Sequence, residues 1–436
     1  MEVRPGYKQT DVGVIPEDWT AKPLEGLAAI IHGFGFRSLY FKPWGKYRLT
    51  TPGHFHETGG FRDIGEKQKF YDGPLPEGYL LSKGDLIVAM TEQADGLLGS
   101  AALVPMGEIY LHNQRLGKIK ILSPELSTSF LYRVFNSNAY RAKVRETAAG
   151  TKVKHTAPKK LLEIPVPLPP TRAEQEAIAE ALSDADALIE SLEQLIAKKR
   201  NLKQGAMQEL LTGKKRLPGF MQGTPSYRLT KFGLMPADWV PIPLERAATF
   251  ITKGATPTTY GFAWQNEGVL FLRSECASER GLELSQSMFI SDRAHQVMRR
   301  SEVRAGDILM TITGNVGRVV YLGNGFGKAN INQHIARIRI VHEQVTAPFV
   351  FQFLSQPVVR RYYNLITTGQ AYPQISLTQV RETEVPMPLL PEQSAIATIL
   401  SDMDAEIAAL ETKLAKVRQL KQGMMQELLT GRIRLV

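Results

Sequence analysis

Two corresponding loops, one in each half of the chain, carry the side chains best suited to bind a ligand. The first reads GTKVKHTAPKK from Gly150, and the second reads TTGQAYPQIS from Thr367. Lys and His suit phosphate groups, Gln can form two hydrogen bonds with adenine, and Tyr can stack on a base or bind phosphate. A solvated surface is the alternative for the lysines, because Lys in a loop is usually exposed. The chemistry predicts nucleic-acid contacts from Lys152, Lys154, His155, Lys159, Lys160, Gln370, Tyr372 and Gln374.

Two further polar segments directly follow predicted strands. Thr91–Gln93 ends the segment that begins KGDLIVAM, and Thr313–Asn315 ends the segment that begins AGDILMTI. Polar side chains at the end of a strand can reach a ligand from a rigid scaffold. Of these residues we retain Thr313 and Asn315 as weaker candidates, because both segments can also be simple turns.

No segment has the spacing of a catalytic, metal or cofactor site. GNGFGKA from Gly323 lacks the first glycine of a phosphate-binding loop, and Ala329 stands where Ser or Thr would hold magnesium. HGFGF from His32 has no third glycine, and HFHE from His54 lacks the i, i+4 histidines of a metal-binding helix. Cys276, the one cysteine, suits packing, and the Asn/Asp-Pro-Pro-aromatic motif of amino-methyltransferases is absent. We therefore predict a non-enzymatic binding protein without a metal or cofactor of its own.

The bulk composition indicates a globular protein of several domains. The chain has 436 residues, of which 43% are hydrophobic, and this length suggests roughly two to four domains. It has no apolar run of membrane-spanning length, and its first residues lack the apolar core of a signal peptide. A single cysteine excludes a disulfide framework. These features favour a cytoplasmic protein that does not bind a membrane.

A long internal repeat divides the chain into two halves. QGAMQELLTG ends at Gly213 and QGMMQELLTG ends at Gly431, within segments 173–217 and 391–435 that are identical at 29 of 45 positions. Each half also opens alike, with YKQTDVGVIPEDW from Tyr7 and YRLTKFGLMPADW from Tyr227. Such self-similarity indicates two copies of one architecture. We expect the repeated tryptophans of these openings to be packed rather than to stack on bases.

Each repeat segment has the pattern of one long helix. Apolar residues recur at alternating steps of four and three, which is typical of coiled-coil packing. The simpler alternative is a helix that faces the core of its own domain. We predict an α+β protein with globular domains at 1–170 and 217–390, and helices at 171–216 and 391–436 that pair as an antiparallel coiled coil with pseudo-two-fold symmetry. The residues predicted to pair are Ile178, Leu182, Ile189, Leu192, Ile196, Ile396, Leu400, Ile407, Leu410 and Leu414.

The positive charge lies on the two globular segments. The whole chain carries +10, of which residues 1–170 contribute +5 and residues 217–390 contribute +5, whereas the helical segments are neutral. A basic membrane-surface helix is therefore disfavoured. Two equally basic domains joined by neutral helices indicate a protein that binds nucleic acid at two points.

The chain resembles the specificity subunits of type I restriction–modification enzymes over nearly its whole length. The resemblance rests on the tandem halves, on the YKQTDVGVIPEDW opening, on the helix entrances IPVPLPPTRAEQ and VPMPLLPEQSAI, and on the repeated helix end LKQGxMQELLTG. It implies two target-recognition domains, each of which reads one half of a split DNA sequence. The loop at Thr367 matches a motif region of the family, whereas the loop at Gly150 departs from its glutamine-rich form.

The resemblance also implies the partners. The paired helices would set the gap in the target and would bind two methyltransferase (M) subunits, and restriction/translocase (R) subunits would join for cleavage. S-adenosylmethionine, ATP and Mg²⁺ would then be bound by the partner subunits. Because the two domains differ in sequence, the double-stranded DNA target should be bipartite and asymmetric.

Two alternatives remain open at this point. The chain could serve a system in which one partner carries both methylation and cleavage, or it could be a coiled-coil scaffold that does not bind DNA. The equal charges of the two domains disfavour the scaffold. Leu188, Leu195 and Leu202 form a second apolar stripe on the first helix, which indicates that this helix also binds a partner.

Overall fold

The computed structural model describes residues 4–92, 96–107, 109–150, 154–220, 226–279, 281–369 and 371–435. Two compact units make up the chain. Unit 1 comprises Met1–Glu193 and Thr412–Val436, and unit 2 comprises Gln194–Glu411. The units therefore divide inside the two repeat segments, whereas the boundaries predicted from sequence lie at the ends of these segments, at 170/171, 216/217 and 390/391.

Unit 1 contains a main antiparallel sheet of order β4-β11-β8-β9 and a smaller mixed sheet of order β10-β6-β7-β5. Its strands are β1 (Tyr7–Thr10), β2 (Gly13–Pro16), β3 (Thr20–Lys22), β4 (Ala28–His32), β5 (Phe41–Lys42), β6 (Tyr47–Leu49), β7 (Phe70–Tyr71), β8 (Leu86–Ala89), β9 (Ala101–Leu103), β10 (Tyr110–Leu111), β11 (Leu116–Ile121) and β12 (Val166–Leu168). Its helices are α1 (Thr128–Phe135), α2 (Asn138–Glu146), α3 (Pro158–Glu163), the first part of α4 (Arg172–Leu210) and the last part of α10 (Leu390–Leu428).

Unit 2 repeats this design, with a main sheet of order β16-β25-β22-β23 and a second sheet of order β20-β17-β24-β21. Its strands are β13 (Tyr227–Thr230), β14 (Gly233–Pro236), β15 (Ile242–Pro243), β16 (Ala248–Lys253), β17 (Val269–Leu272), β18 (Ala277–Ser278), β19 (Gly281–Leu282), β20 (Met288–Ile290), β21 (Glu302–Val303), β22 (Ile308–Thr311), β23 (Val319–Tyr321), β24 (Ala329–Ile331), β25 (Ile335–Ile340) and β26 (Glu384–Val385). Its helices are the last part of α4, α5 (Leu244–Ala247), α6 (Asp292–Val297), α7 (Ala347–Leu354), α8 (Pro357–Leu365), α9 (Leu377–Arg381) and the first part of α10 (Leu390–Leu428).

The main sheets follow the sequence patterns closely. Along β11, Ile119 is buried while Lys118 and Lys120 reach the surface, as period-two alternation requires. The buried face packs on α1, and the repeat segments complete the core with Ile178 from α4 and Leu428 from α10. The predicted fold class, α+β with two tandem globular regions that are each followed by a long helix, is confirmed.

In both units α4 and α10 run antiparallel. Later residues of α4 form ion pairs with earlier residues of α10. Lysines that interrupt the apolar seam of each helix take part, so these polar positions are used for pairing between the helices. The ion pairs are Asp186–Lys421 (2.5 Å) and Glu193–Arg418 (2.5 Å) in unit 1, and Lys199–Glu406 (2.6 Å), Lys203–Asp404 (2.5 Å) and Arg200–Glu411 in unit 2.

The apolar seams have two kinds of surroundings. Near its start, each helix faces the core of a globular region, where Ile178, Leu182, Ile396 and Leu400 are fully buried. Farther along, Leu192, Ile196, Ile407 and Leu414 are buried, and Ile189 and Leu410 are half-buried. The core-facing alternative therefore describes the starts of the helices. Leu188, Leu195 and Leu202 are 37–52% exposed.

In each unit, an arginine that pairs with a buried glutamate joins the end of one repeat segment to the start of the other. In unit 2, Arg216 donates to both carboxylate oxygens of Glu392 (2.7 and 2.8 Å) and to Asp238 (2.9 Å). Hydrogen bonds to Glu174 raise the pKa of the equivalent Arg434 guanidinium above its usual value. We name these sets the arginine clamps, which are Arg216, Asp238 and Glu392 in unit 2 and Arg434, Asp18 and Glu174 in unit 1.

The repeated glycine and tryptophan motifs meet beside each clamp. Trp19 and Trp239 are buried, as expected. Gly213 and Gly431 have a φ of 66°, and a Cβ atom on Gly213 would lie 2.3 Å from Pro236. Glycine is therefore required twice over, because the turn needs a left-handed residue and the contact leaves no room for a side chain. The LLTG motif ends each helix and packs against a globular core.

Candidate nucleic-acid interface

In unit 1, three loops meet at one end of the main sheet. They follow β8, precede β11 and precede α3. The Glu92 N–H donates to Lys154 O (2.8 Å), the Thr156 N–H donates to Met90 O (2.9 Å), and the Met90 N–H donates to Arg115 O (3.0 Å). Backbone hydrogen bonds thus place side chains from three distant segments at one edge.

Unit 2 builds the same edge from its own loops. The Gly314 N–H donates to Pro373 O (2.8 Å), the Ile375 N–H donates to Ile312 O (3.0 Å), and the Ile312 N–H donates to His334 O (2.9 Å). Each of these bonds has its counterpart in unit 1. The backbone scaffold is therefore repeated, while the side chains it carries differ.

His155 and Gln374 occupy matching positions on this scaffold. His155 exchanges two backbone hydrogen bonds with Ala149 (2.9 and 3.0 Å), and Gln374 exchanges two with Thr368 (2.9 and 3.0 Å). Both side chains are exposed. The structure thus gives one unit an imidazole and the other an amide at the same place.

The predicted residues of unit 2 lie together at this edge. Tyr372 is 71% exposed, and Asn315 and Gln374 are also exposed. Thr313 is half-buried and forms an isolated antiparallel β-bridge with Gln374. Gln370 lies outside the described residues. The weaker candidate segment and the stronger one therefore belong to a single surface.

The predicted residues of unit 1 are divided between this edge and α3. Lys154 and His155 lie at the edge, and Lys152 lies outside the described residues, as does Gln93 of the weaker segment. Lys159 and Lys160 belong to α3, where Lys159 forms an ion pair with Glu163 (3.7 Å) and Lys160 donates to Thr147 O (2.8 Å). These two exposed ammonium groups already have partners within unit 1.

Sequence reasoning missed one part of each edge, the Asn-Gln turn. We give this name to Asn113–Arg115 in unit 1 and to Asn332–His334 in unit 2. In both turns the Asn side-chain oxygen accepts the N–H of the last residue at 3.1 Å. The signal that could have found these turns is the Asn-Gln pair itself, which recurs in both halves shortly before β11 and β25.

A glycine fits closely against the backbone of each Asn-Gln turn. A Cβ atom on Gly33 would lie 2.0 Å from Asn113 O, and one on Gly254 would lie 2.7 Å from Asn332 O and 1.7 Å from Ile331 O. These are backbone atoms that cannot rotate away. The two glycines therefore fix the depth at which the turns sit.

Burial determines which groups at the edge of unit 1 carry charge. It lowers the pKa of His112, directly before the Asn-Gln turn, to about 4, so this histidine is neutral at pH 7. Burial also lowers the pKa of Arg141 to about 10, where its guanidinium donates to Leu98 O (2.9 Å) and supports the chain that follows Glu92. The Arg141 guanidinium keeps its charge at pH 7, because a pKa of about 10 is still well above 7, so it adds to the positive charge of the exposed Lys and Arg side chains.

Neither a metal site nor a membrane span was found in the part of the chain that the structure describes. No group of three His, Cys, Asp or Glu side chains there could hold a metal ion. None of the described helices is long and apolar enough to cross a membrane.

Comparison with known proteins identifies the architecture. A family model described as the type I restriction modification DNA specificity domain matches residues 16–198 and 299–419. The chain is 27% identical to the type I restriction enzyme EcoBI specificity subunit of Escherichia coli, over 96% of this chain and 87% of that protein. It is 25% identical to the putative type I restriction enzyme MjaX specificity subunit of Methanocaldococcus jannaschii, over 98% and 96%.

Solved structures share the fold at low identity. The S subunit of a type I restriction-modification system from M. genitalium superposes with a TM-score of 0.61 at 16% identity, covering 98% of both chains. A chain from a study of complex assembly and conformational transition of the type I R-M system superposes with a TM-score of 0.53 at 16% identity, covering 96% of this chain and 99% of that one.

Proposed function

Since the chain belongs to the type I restriction–modification DNA specificity family, we propose that it reads a bipartite, asymmetric DNA sequence for its complex. Specificity subunits of this family bind DNA and assemble with methyltransferase and restriction subunits. We assign this chain two methyltransferase subunits and a non-catalytic role. S-adenosylmethionine, ATP and Mg²⁺ are then bound by the partner subunits. These subunits methylate adenine or cleave DNA at the sites to which this chain directs them.

The observation that carries the proposal is the repeated edge with unlike side chains. Three loops are joined by the same backbone hydrogen bonds in both units. At matching positions, unit 1 presents His155 and Arg115 whereas unit 2 presents Gln374 and His334. A repeated scaffold gives both units one mode of docking, and different side chains give each unit a different base preference.

The side chains divide into two classes of DNA contact. Gln374 has the paired donor and acceptor that match adenine, so it suits a base edge in the major groove. Lys154 is a flexible point charge and suits a phosphate, as does the hydroxyl of Tyr372. The equal positive charge of the two globular segments supports a similar affinity of both units for the phosphate backbone of DNA.

Two substitutions separate these classes. In the assembled complex, Gln374→Ala should relax an adenine preference in one half-site by about 1–3 kcal/mol and leave the other half unchanged. Lys154→Ala should weaken binding to all sequences and lower the salt slope by about 1. Methylation mapping measures the first effect, and binding titrations at several salt concentrations measure the second.

The control for the first substitution is Gln296→Ala, at an exposed glutamine of α6. It should leave the methylated motif unchanged. An equal loss at every site for Gln374→Ala, with no change in base preference, would remove Gln374 from base recognition.

A further inference from the structure

Arg115 is the one arginine of the Asn-Gln turns, and it lines a recess in unit 1. The recess has a volume of about 350 Å³ and lies between the smaller sheet and the turn. Its walls include Phe36, Phe41, Lys67, Lys69, Gln114 and Arg115. Aromatic rings therefore form part of the lining and cations form another part.

Within the described part of the chain, the cations of this recess have neither an acidic nor a hydrogen-bonding partner. Among the described residues, none forms a hydrogen bond or an ion pair with the side chains of Lys67, Lys69 or Arg115, and no Asp or Glu lines the recess. Lys69 lies 5.8 Å from the centroid of the Phe41 ring. Three like charges held together without a counter-ion favour an anionic or acceptor-rich ligand.

The corresponding turn of unit 2 carries a different side chain on the same backbone. His334 takes the place of Arg115, and its ring lies 3.1 Å from the Gln333 side-chain nitrogen. In both turns the Asn side-chain oxygen accepts the backbone N–H of the last residue. The backbone oxygen of that last residue accepts the N–H of Met90 in unit 1 and of Ile312 in unit 2. The position that follows the Asn-Gln pair is therefore variable on a constant support, as a specificity-determining position should be.

We propose that Arg115 reads a guanine in the half-site bound by unit 1, and that Lys67 and Lys69 bind phosphates beside it. This inference rests on the proposed function. A guanidinium donates two parallel hydrogen bonds to O6 and N7 of guanine, whereas adenine presents a donor at the first of these places. Lysine ammonium groups act as point charges and position the duplex without reading it.

The test is methylation mapping with the full chain and its methyltransferase partner. Arg115→Ala should lower the preference for guanine at one position of one half-site by about 10- to 100-fold. Arg115→Gln should shift that preference toward adenine, because the amide matches the adenine edge. Lys69→Ala should instead lower methylation of all sites together without changing the base preference, and His334→Ala should act on the other half-site.

Several results would overturn the assignment. If Arg115→Ala lowers methylation of every site equally, Arg115 contacts the DNA backbone rather than a base. If Arg115→Ala leaves the guanine preference intact, Arg115 does not take part in base recognition. If the Arg115→Ala variant does not assemble, an unchanged methylated motif in the Arg115→Gln variant would contradict the assignment of Arg115 to guanine. A wild-type chain that yields a split motif keeps the proposed function even then, whereas a wild-type chain that yields no motif contradicts the proposed function itself.

Discussion

Replacing Arg216 by Ala should destabilise unit 2 by about 3–5 kcal/mol, because it leaves a buried carboxylate without its counter-charge. Glu392 is 0% exposed, and both of its carboxylate oxygens accept hydrogen bonds from the Arg216 guanidinium. The guanidinium also lies 5.4 Å from the Trp239 ring centroid, so the substitution removes a cation–π contact as well. No other substitution in the clamp leaves so deeply buried a charge.

Hydrogen exchange of the intact complex measures this effect locally. Arg216→Ala should increase exchange in the first turns of α10, which begins at Leu390, and the matched Arg434→Ala should do so in the first turns of α4, which begins at Arg172. Lys214→Ala, at an exposed neighbour, is the control. The double variant Arg216→Ala/Glu392→Gln should recover part of the loss, because the buried charge is gone. Unchanged exchange in Arg216→Ala would contradict the clamp.

Gly254→Ala should destabilise unit 2 by about 1–3 kcal/mol and abolish reading of one half-site. The new methyl group would lie 1.7 Å from Ile331 O, at the end of β24, so either that strand or β16 must move. Because the Asn-Gln turn follows Ile331 directly, the displacement reaches His334. The hydrogen bond from the Gly254 N–H to Asn332 O (3.1 Å) would be strained at the same time.

A second glycine of unit 2 provides a matched control. Gly323 has open space around its Cβ position and no left-handed backbone, so Gly323→Ala should be nearly neutral. Gly33→Ala should cause the equivalent loss in the other half-site. Methylation mapping and thermal unfolding of the same complexes give the two readouts. A motif and a melting temperature that are unchanged in Gly254→Ala would show that the turn tolerates displacement.

The features that sequence could predict are those carried by local periodicity. Apolar residues that recur at alternating steps of four and three, from Ile178 onward and again from Ile396, predict both long helices and their apolar faces. The LLTG motif marks their ends, because glycine after the last turn is a local signal. Strand alternation likewise identifies the main sheets, and the duplicated order of motifs identifies two copies of one fold.

The arginine clamps could not be predicted, because they depend on contacts between distant segments. Arg434 meets Asp18 and Glu174 only after the chain has folded back on its beginning. No spacing along the sequence marks this pairing. The repeated Arg in KKRL and RIRL was visible, but its partners were not.

The candidate interface was predicted in part for the same reason. The loops around His155 and Gln374 stand out by composition, since they concentrate Lys, His, Gln and Tyr. The Asn-Gln turns do not stand out, because a single Arg115 at the start of a strand has an ordinary composition. Only strand pairing brings it beside Met90 and so beside the other loops.

The most direct test of DNA reading by this protein is methylation mapping in a methylation-free host that expresses the methyltransferase partner with and without this chain. We expect N6-methyladenine only when the chain is present, at a split asymmetric motif, with one half of the motif changed by Gln374→Ala. A complex that assembles but gives methylation independent of the chain, or none at any defined motif, would contradict the claim that this protein reads the target.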